Sequence, residues 1–241
     1  MIRRYFRAVP TAERKADESP VTLADRGAEQ AMRQILTRAC PGDGVHGEEY
    51  GLENPDAACR WVLDPIDGTR AFITGRPVFG TLIALVQNGI PVLGIIDQPV
   101  TRERWVGIAG QPTQFSGPFG GVPHTRLCAS LADAELSCTS PDILGPHAAA
   151  FGRLAAATAR TSWGGDCYGY GLLALGQIDI IAECDLKIWD WAALLPVVEG
   201  AGGIVRDWSG RPLTPAGDGR VLAVGHPALL AAAIDRLAAA I

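Results

Sequence analysis

The chain has 241 residues with 21 basic against 26 acidic side chains, a formal net charge of −5, and no basic cluster of the kind that grips a nucleic acid backbone. Its 48% hydrophobic content excludes a disordered chain, and no apolar run approaches the ~18 residues needed to cross a bilayer. Six cysteines, at 40, 59, 128, 138, 167 and 184, have irregular gaps and no CxxC pair, which indicates neither a thiolate zinc site nor a disulfide framework and reads as reduced, mostly buried thiols.

The opening stretch MIRRYFRAVPTAER has no secretory h-region, so a cytoplasmic protein is expected. Segment 22–39 sets Leu23, Ala28, Met32, Ile35 and Leu36 at helical spacing, with Thr22 as N-cap, Asp25 at the reciprocating capping-box position and Pro41-Gly42 closing the helix. WVLD at 61–64 reads as a short buried strand, and 78–97 as an antiparallel hairpin turned by Gln87-Asn88-Gly89. A strand is expected around 102–106, and a Gly- and Pro-rich loop over 111–124. The pattern then restarts: strand at 135–140, helices at 146–159 and 167–175, strand at 178–182. It closes with a helix over 189–203 that Pro196 should kink, strands at 204–208 and 221–225, and a last helix over 227–241. No internal repeat is present, and the sum is a mixed α/β chain in layers.

Arg60 to Thr69 reads RWVLDPIDGT. A buried strand delivers Asp64 to its C-terminal end, Pro65 holds that residue out of the helical region, and Gly68 permits a tight turn. Asp64 and Asp67 can then converge beside outward-pointing N–H groups at 68–69. Taken alone, DPxDG reads first as an Asx-type turn. Two further acidic signals shift the balance: Gly47-Glu48-Glu49, and Asp190 between Trp189 and Trp191 in the first turn of a helix. Each has a bland alternative, as a solvated loop or a helix cap. Together they supply hard oxygen ligands suited to Mg²⁺, and four converging carboxylates without a cation would repel one another.

The combination GEE, DPIDGTRAF and WDWAALLPVVEGAGG, at these separations, resembles the inositol monophosphatase superfamily of Mg²⁺-dependent, Li⁺-sensitive phosphatases over nearly the whole chain. DPIDGTRAFITGRPVFGTLIAL with GGDCYGYGLLALGQ is most similar to the histidinol-phosphate phosphatase branch. The resemblance implies a layered αβαβα sandwich forming one catalytic unit over 1–241. Its two intimate subdomains would be about 1–125, with the metal and phosphate motifs, and 126–241, with the substrate side and the final metal ligand. It implies that Glu48, Asp64 and the Ile66 carbonyl hold one Mg²⁺, that Asp64, Asp67 and Asp190 hold a second, and that Glu48 with water serves a weaker third. Thr69, assisted by Asp25, would orient the attacking water, with Glu48 also catalytic, and the amides of Gly68 and Thr69 would receive phosphate. No phosphoenzyme is implied. Relatives carry a longer N-terminal helix, and Met1–Arg7 resembles only its end.

By the same resemblance Gly165, Asp166, Glu183 and Asp190 face the organic part of the substrate. Asp166 is a charge that could pair with an ammonium or imidazolium, pointing to L-histidinol phosphate and hence histidine biosynthesis; it could equally be the N-cap of the following helix. Glu183 could instead pair with Lys187, and Arg70 either clamps the anion or lies on the surface. The histidines at 46, 124, 147 and 226 form no ligand pair and read as surface or structural, and Trp189, Trp191, Tyr168 and Tyr170 as packing near the cleft. Other phosphatase chemistries lack their residues: Asp64 and Asp67 are not a DxD, no cysteine begins Cys-x5-Arg, and no GxxxxGK loop exists. The alternatives are inositol, sugar or nucleotide phosphates as substrates, or a catalytically silent metal- and phosphate-binding protein. A small phosphorylated molecule is the expected partner, without nucleic acid polymer or membrane, and with homodimer formation left open.

Overall fold

The computed structural model describes residues 1–8 and 20–238. After a 3-10 turn at Ile2–Arg4, helix α1 (Pro20–Ala39) leads into β1 (Gly44–Gly47), β2 (Gly51–Glu53), β3 (Cys59–Asp67) and the short α2 (Thr69–Ile73). Strands β4 (Gly80–Gln87), β5 (Ile90–Gln98), β6 (Glu103–Ile108) and β7 (Gln114–Ser116) complete a seven-stranded sheet in the order β2-β1-β3-β4-β5-β6-β7. All its pairs are antiparallel except β1 with β3. The second half runs β8 (Glu135–Cys138), α3 (Ala148–Ala155), β9 (Arg160–Trp163), α4 (Asp166–Ala174), β10 (Ile180–Glu183), α5 (Ile188–Trp191), α6 (Leu194–Gly200), β11 (Ile204–Arg206), β12 (Val221–Val224) and α7 (Pro227–Ala238). Its five strands are ordered β11-β12-β10-β8-β9.

The layers follow from which faces are apolar. Ala24 and Ala28 of α1 pack with Ile66, Phe72 and Phe79 on the outer face of the first sheet. Between the sheets, α4, α5 and α6 bury Tyr170, Leu173, Trp191, Val197 and Val198 against Leu82, Ile96 and Trp105 on one side and Ile181, Val205 and Ala223 on the other. Phe151 and Leu154 of α3 and Leu229 and Ala233 of α7 cover the far face of the second sheet. The result is the expected αβαβα sandwich. Each sheet can bury both faces because helices flank it on both sides. Among the described residues no helix is long and apolar enough to cross a membrane.

Several expected elements differ in detail. α1 starts at Pro20, which is favoured in a first turn for its fixed φ, so Thr22 lies inside the helix and is not its N-cap; residue 19 lies outside the described residues. β3 is longer than 61–64, and the hairpin turn at Asn88-Gly89 is as expected. The stretch 111–124 contains strand β7, which adds to β6. The helix expected over 146–159 is a 3-10 segment, Pro141–His147, followed by α3, and Arg160–Trp163 is an edge strand pairing with β8. The helix expected over 189–203 is two, with the break at Ala192-Ala193. Pro196 lies within the first turn of α6, where its missing N–H costs no intrahelical bond. The six cysteines are free, four of them buried.

One feature decides where α5 and α6 sit. Gly94 of β5 and Gly107 of β6 are register partners and form a bare patch on the sheet. A Cβ on either would overlap the backbone at Ala193 or Pro196. The helix backbone therefore lies directly on the sheet, which seats the preceding turn carrying Asp190.

Candidate active site

Asp64 and Asp67 are both in β3, and in a regular strand an odd separation would aim them at opposite faces. The pairing with β4 shifts between them: Asp64 faces Leu82 and Asp67 faces Gly80, three steps against two. This one-residue bulge at Pro65-Ile66 restores a common side. Proline, with no N–H to offer the ladder, is suited to the irregularity, and the Pro65 carbonyl takes a hydrogen bond from the Thr81 hydroxyl at 2.8 Å. The convergence expected from a tight turn is thus produced within the strand. The turn follows at Gly68, whose φ of 87° is costly for any side chain, and a Cβ there would also crowd the Asp166 side chain and the Phe79 backbone. α2 then begins at Thr69, whose hydroxyl donates to the Ile66 carbonyl at 3.2 Å. The N–H groups of this first turn have no intrahelical acceptor.

Three other elements bring acids to the same place. Glu48 follows β1 rather than a loop: its N–H donates to the Leu63 carbonyl at 3.2 Å, and its carboxyl lies close enough to that of Asp64 to raise the energy of ionising Asp64. Asp190 is in the first turn of α5, where it accepts the Lys187 N–H at 2.6 Å, so it caps the helix and faces the cluster at once. Oxygens of Asp64, Asp67 and Asp190 lie within 4.8 Å of one another. Asp25 of α1 is buried nearby with one oxygen unpartnered.

The charges are unbalanced. Burial first, then Asp67, Glu48, Asp190 and Asp25, push the Asp64 carboxyl well above the ordinary range, and burial with Asp166 and Asp190 does the same to Asp67. Burial raises Asp190 to about 7 and Asp25 to about 8, the latter helped by Glu49 and Glu48. Burial and Glu49 also raise Glu48. Among the described residues no Lys or Arg forms an ion pair with Asp25, Glu48, Asp64, Asp67 or Asp190. Asp64 Oδ1 is buried without a hydrogen-bond partner. A set of hard carboxylate oxygens with an orphaned buried oxygen at its centre fits divalent cations such as Mg²⁺.

The residues expected on the substrate side divide. Asp166 has φ 45°, and α4 has no side-chain cap hydrogen bond from its own N-terminal residues, so capping does not explain Asp166. The Cys167 N–H is instead taken by Asp67, at 2.6 Å and from the other sheet. Burial and Glu183 raise Asp166 to about 6, with Arg76 and Arg70 opposing. Gly165 precedes it. Glu183 is buried and does not pair with Lys187: it accepts the Thr139 N–H at 2.7 Å and the Tyr170 hydroxyl at 2.9 Å, and Lys187 pairs with Asp185. Arg70 pairs with Asp142 at the surface. Asp67, Asp166, Glu183, Asp185 and Asp190 all line one cavity of ≈ 170 Å³, which joins the acid cluster to the anionic floor below Asp166.

Sequence reading missed Thr139, which holds the Asp166 and Glu183 segments through its hydroxyl and amide, and Arg76, which donates to the Gly164 carbonyl at 3.1 Å. It also missed Glu29 and Arg33, buried behind the Glu48 turn. A signal for this last pair exists: Asp25, Glu29 and Arg33 recur every four residues along one face of α1.

The model of the inositol monophosphatase family matches residues 1–240. The chain is 46% identical over 214 residues to the bifunctional phosphatase IMPL2, chloroplastic, of Arabidopsis thaliana, covering 88% of this chain and 61% of that protein, less than two thirds of its length. It is 39% identical over 194 residues to the histidinol-phosphatase of Mycobacterium tuberculosis, covering 78% of this chain and 74% of that one. Among solved structures, an inositol monophosphatase from Zymomonas mobilis matches with a TM-score of 0.90 and 53% identity, over 98% of this chain and 91% of that one.

Proposed function

The chain belongs to the inositol monophosphatase family, and on that premise we propose that it is a Mg²⁺-dependent phosphomonoesterase cleaving L-histidinol phosphate to L-histidinol and phosphate, a step of histidine biosynthesis. The observation that carries the reading is the meeting of Asp64, Asp67 and Asp190 within 4.8 Å, without an ion pair to any of them among the described residues. Two or three divalent cations held by Glu48, Asp64, Asp67, Asp190 and the Ile66 carbonyl would polarise the phosphoryl group, lower the pKa of water and offset charge on the departing oxygen. The protein groups do the rest. The Thr69 hydroxyl and the free oxygen of Asp25 orient the attacking water, with Glu48 beside them. The Gly68 and Thr69 N–H groups, unused within α2, receive phosphate oxygens.

Specificity is assigned to the far end of the cavity. Asp166 offers a carboxylate to an ammonium or imidazolium. Glu183, spent on Thr139 and Tyr170, adds negative potential from below and not a direct contact. Relatives named histidinol-phosphatase support this, and the Zymomonas mobilis structure supports the alternative, an inositol or broader sugar or nucleotide phosphate. Cytoplasmic location, a small phosphorylated partner and homodimer formation belong to the same reading.

The test is phosphate release from histidinol phosphate, inositol 1-phosphate and 3′-phosphoadenosine 5′-phosphate, with and without Mg²⁺. A preference of at least ~10-fold for histidinol phosphate, about 1.4 kcal/mol, is expected. A flat panel would overturn the substrate, and Mg²⁺-independent release the cation assignment.

A further inference from the structure

Glu29 lies on α1, one turn after Asp25, with no exposed surface. Its carboxylate does not face the acid cluster as another ligand. It is spent on the backbone of the turn between β1 and β2: Oε2 accepts the Glu49 N–H at 2.8 Å, and Oε1 accepts the Tyr50 N–H at 3.2 Å and Arg33 Nε at 2.7 Å. Arg33, itself buried, continues along the same turn. Its Nη2 donates to the Gly51 carbonyl at 2.5 Å, and its Nη1 reaches Glu53 at 3.1 Å. The segment 49–53 is therefore gripped from one side by two side chains of a single helix.

The fit also demands space. A Cβ at Gly47 would overlap the Glu29 carboxylate, so only a bare residue lets the strand pass over it. On the opposite side the Glu48 N–H is bonded to Leu63 of β3. The peptide flanking Glu48 thus has one N–H fixed to the strand that carries Asp64 and the next fixed to Glu29.

We propose that the Glu29–Arg33 pair is a positioning device for divalent cation binding: it sets the backbone of the Glu48 turn so that the Glu48 carboxyl meets Asp64 before any cation arrives. The inference rests on the cation reading above and deepens it. Without the pair, the turn would be anchored on one side only, and binding would have to order it. The expected signature is weakened cation binding with little change in turnover once cations saturate, because neither side chain touches the cluster or substrate.

Glu29→Gln keeps the shape but replaces one acceptor oxygen by an amide that cannot accept from a backbone N–H. Mn²⁺ binding, followed by electron paramagnetic resonance of the free ion, should weaken by ~10-fold or more, in the range seen for groups that orient metal ligands. The Mg²⁺ concentration for half-maximal phosphate release should rise in parallel, and kcat at saturating Mg²⁺ should stay within about threefold. Should Glu29→Gln lose its native near-UV circular dichroism, Arg33→Lys carries the test, since it keeps the charge and removes the fork joining Glu29 to Gly51; a smaller shift of the same sign is expected. A folded variant with wild-type Mn²⁺ affinity, or one whose kcat collapses at unchanged affinity, overturns the positioning role. Wild-type protein that binds no Mn²⁺ would overturn the cation reading itself, a separable result.

Discussion

Among the described residues Asp64, Asp67 and Asp190 meet at the end of β3 with no ion pair to any of them, whereas Asp179, just before β10 in the second sheet, is as buried as Asp64 but fully served. Asp179 takes two hydrogen bonds from Arg126 and the Glu135 N–H at 2.7 Å. Glu29 belongs with Asp179, since its oxygens are used up by Arg33 and two backbone amides. Removing a carboxylate from water is costly, and a fold meets that cost with donors where the acid is structural. Where it withholds cationic partners from several acids at once, the cost is left for a ligand to offset, and that asymmetry marks the functional site.

The largest test of this contrast is Asp190→Asn. Removing one member of the unpaired set should lower kcat/KM by about 10³-fold, roughly 4 kcal/mol, with far-UV circular dichroism unchanged. Wild-type rates at limiting Mg²⁺ would erase the distinction between the two groups.

Next in size is the pH dependence of cation-free stability. Asp190 is raised by burial from 3.8 to about 7 and Asp25 to about 8, so the folded state holds these protons more tightly than the unfolded chain. That stabilisation is complete below the unfolded value near 4 and is lost as pH rises through about 7 to 8. In EDTA, urea-measured stability should fall by several kcal/mol between pH 4 and pH 8, each pH unit by which a pKa is raised counting for up to about 1.4 kcal/mol. Mg²⁺ at pH 8 should restore much of it, because it binds only the native cluster. A flat EDTA profile would place the acids among the compensated ones.

Asp179→Asn should do the reverse of Asp190→Asn: a loss of about 2 kcal/mol in stability, moderated because Arg126 is half exposed. The kcat/KM well below the melting temperature should be unchanged. Loss of activity without loss of stability would show that the two groups are not separate.

The smallest effect sharpens the boundary of the site. Asp166→Asn tolerates the positive φ, and should cost histidinol phosphate about 10-fold in kcat/KM, about 1.4 kcal/mol, while sparing inositol 1-phosphate. Equal losses would make Asp166 a backbone residue of the α4 entry and nothing more.

Much of the site was legible because its acids come as local clusters: GEE, DPIDG and WDW each display acids beside a glycine, a proline or aromatic rings. The helix–strand alternation likewise announced the layers, and Asn88-Gly89 its hairpin. What escaped was whatever depends on a partner far away in the chain. Nothing in Glu183 or Lys187 says that the first bonds Thr139 and Tyr170, and the second Asp185, because the choice is made by β8 lying beside β10. Strand β9 is four residues of exposed or half-exposed character at a sheet edge, without the alternation that identifies a strand. The split between α5 and α6 was hidden because Pro196 looked like the cause of a kink that lies a few residues earlier.

From its order of residues alone this protein had its family resemblance, its layered class and the identity of its acids, since spacing, turn chemistry and apolar periodicity are local properties. Only the folded chain decided that a bulge turns Asp64 and Asp67 to one side and that facing glycines bring α6 onto the sheet. It also decided that Asp67 caps a helix from the other half, and that Glu29 is a brace and not a ligand. These outcomes depend on which elements pack together, and close packing is settled by distances that no linear pattern encodes.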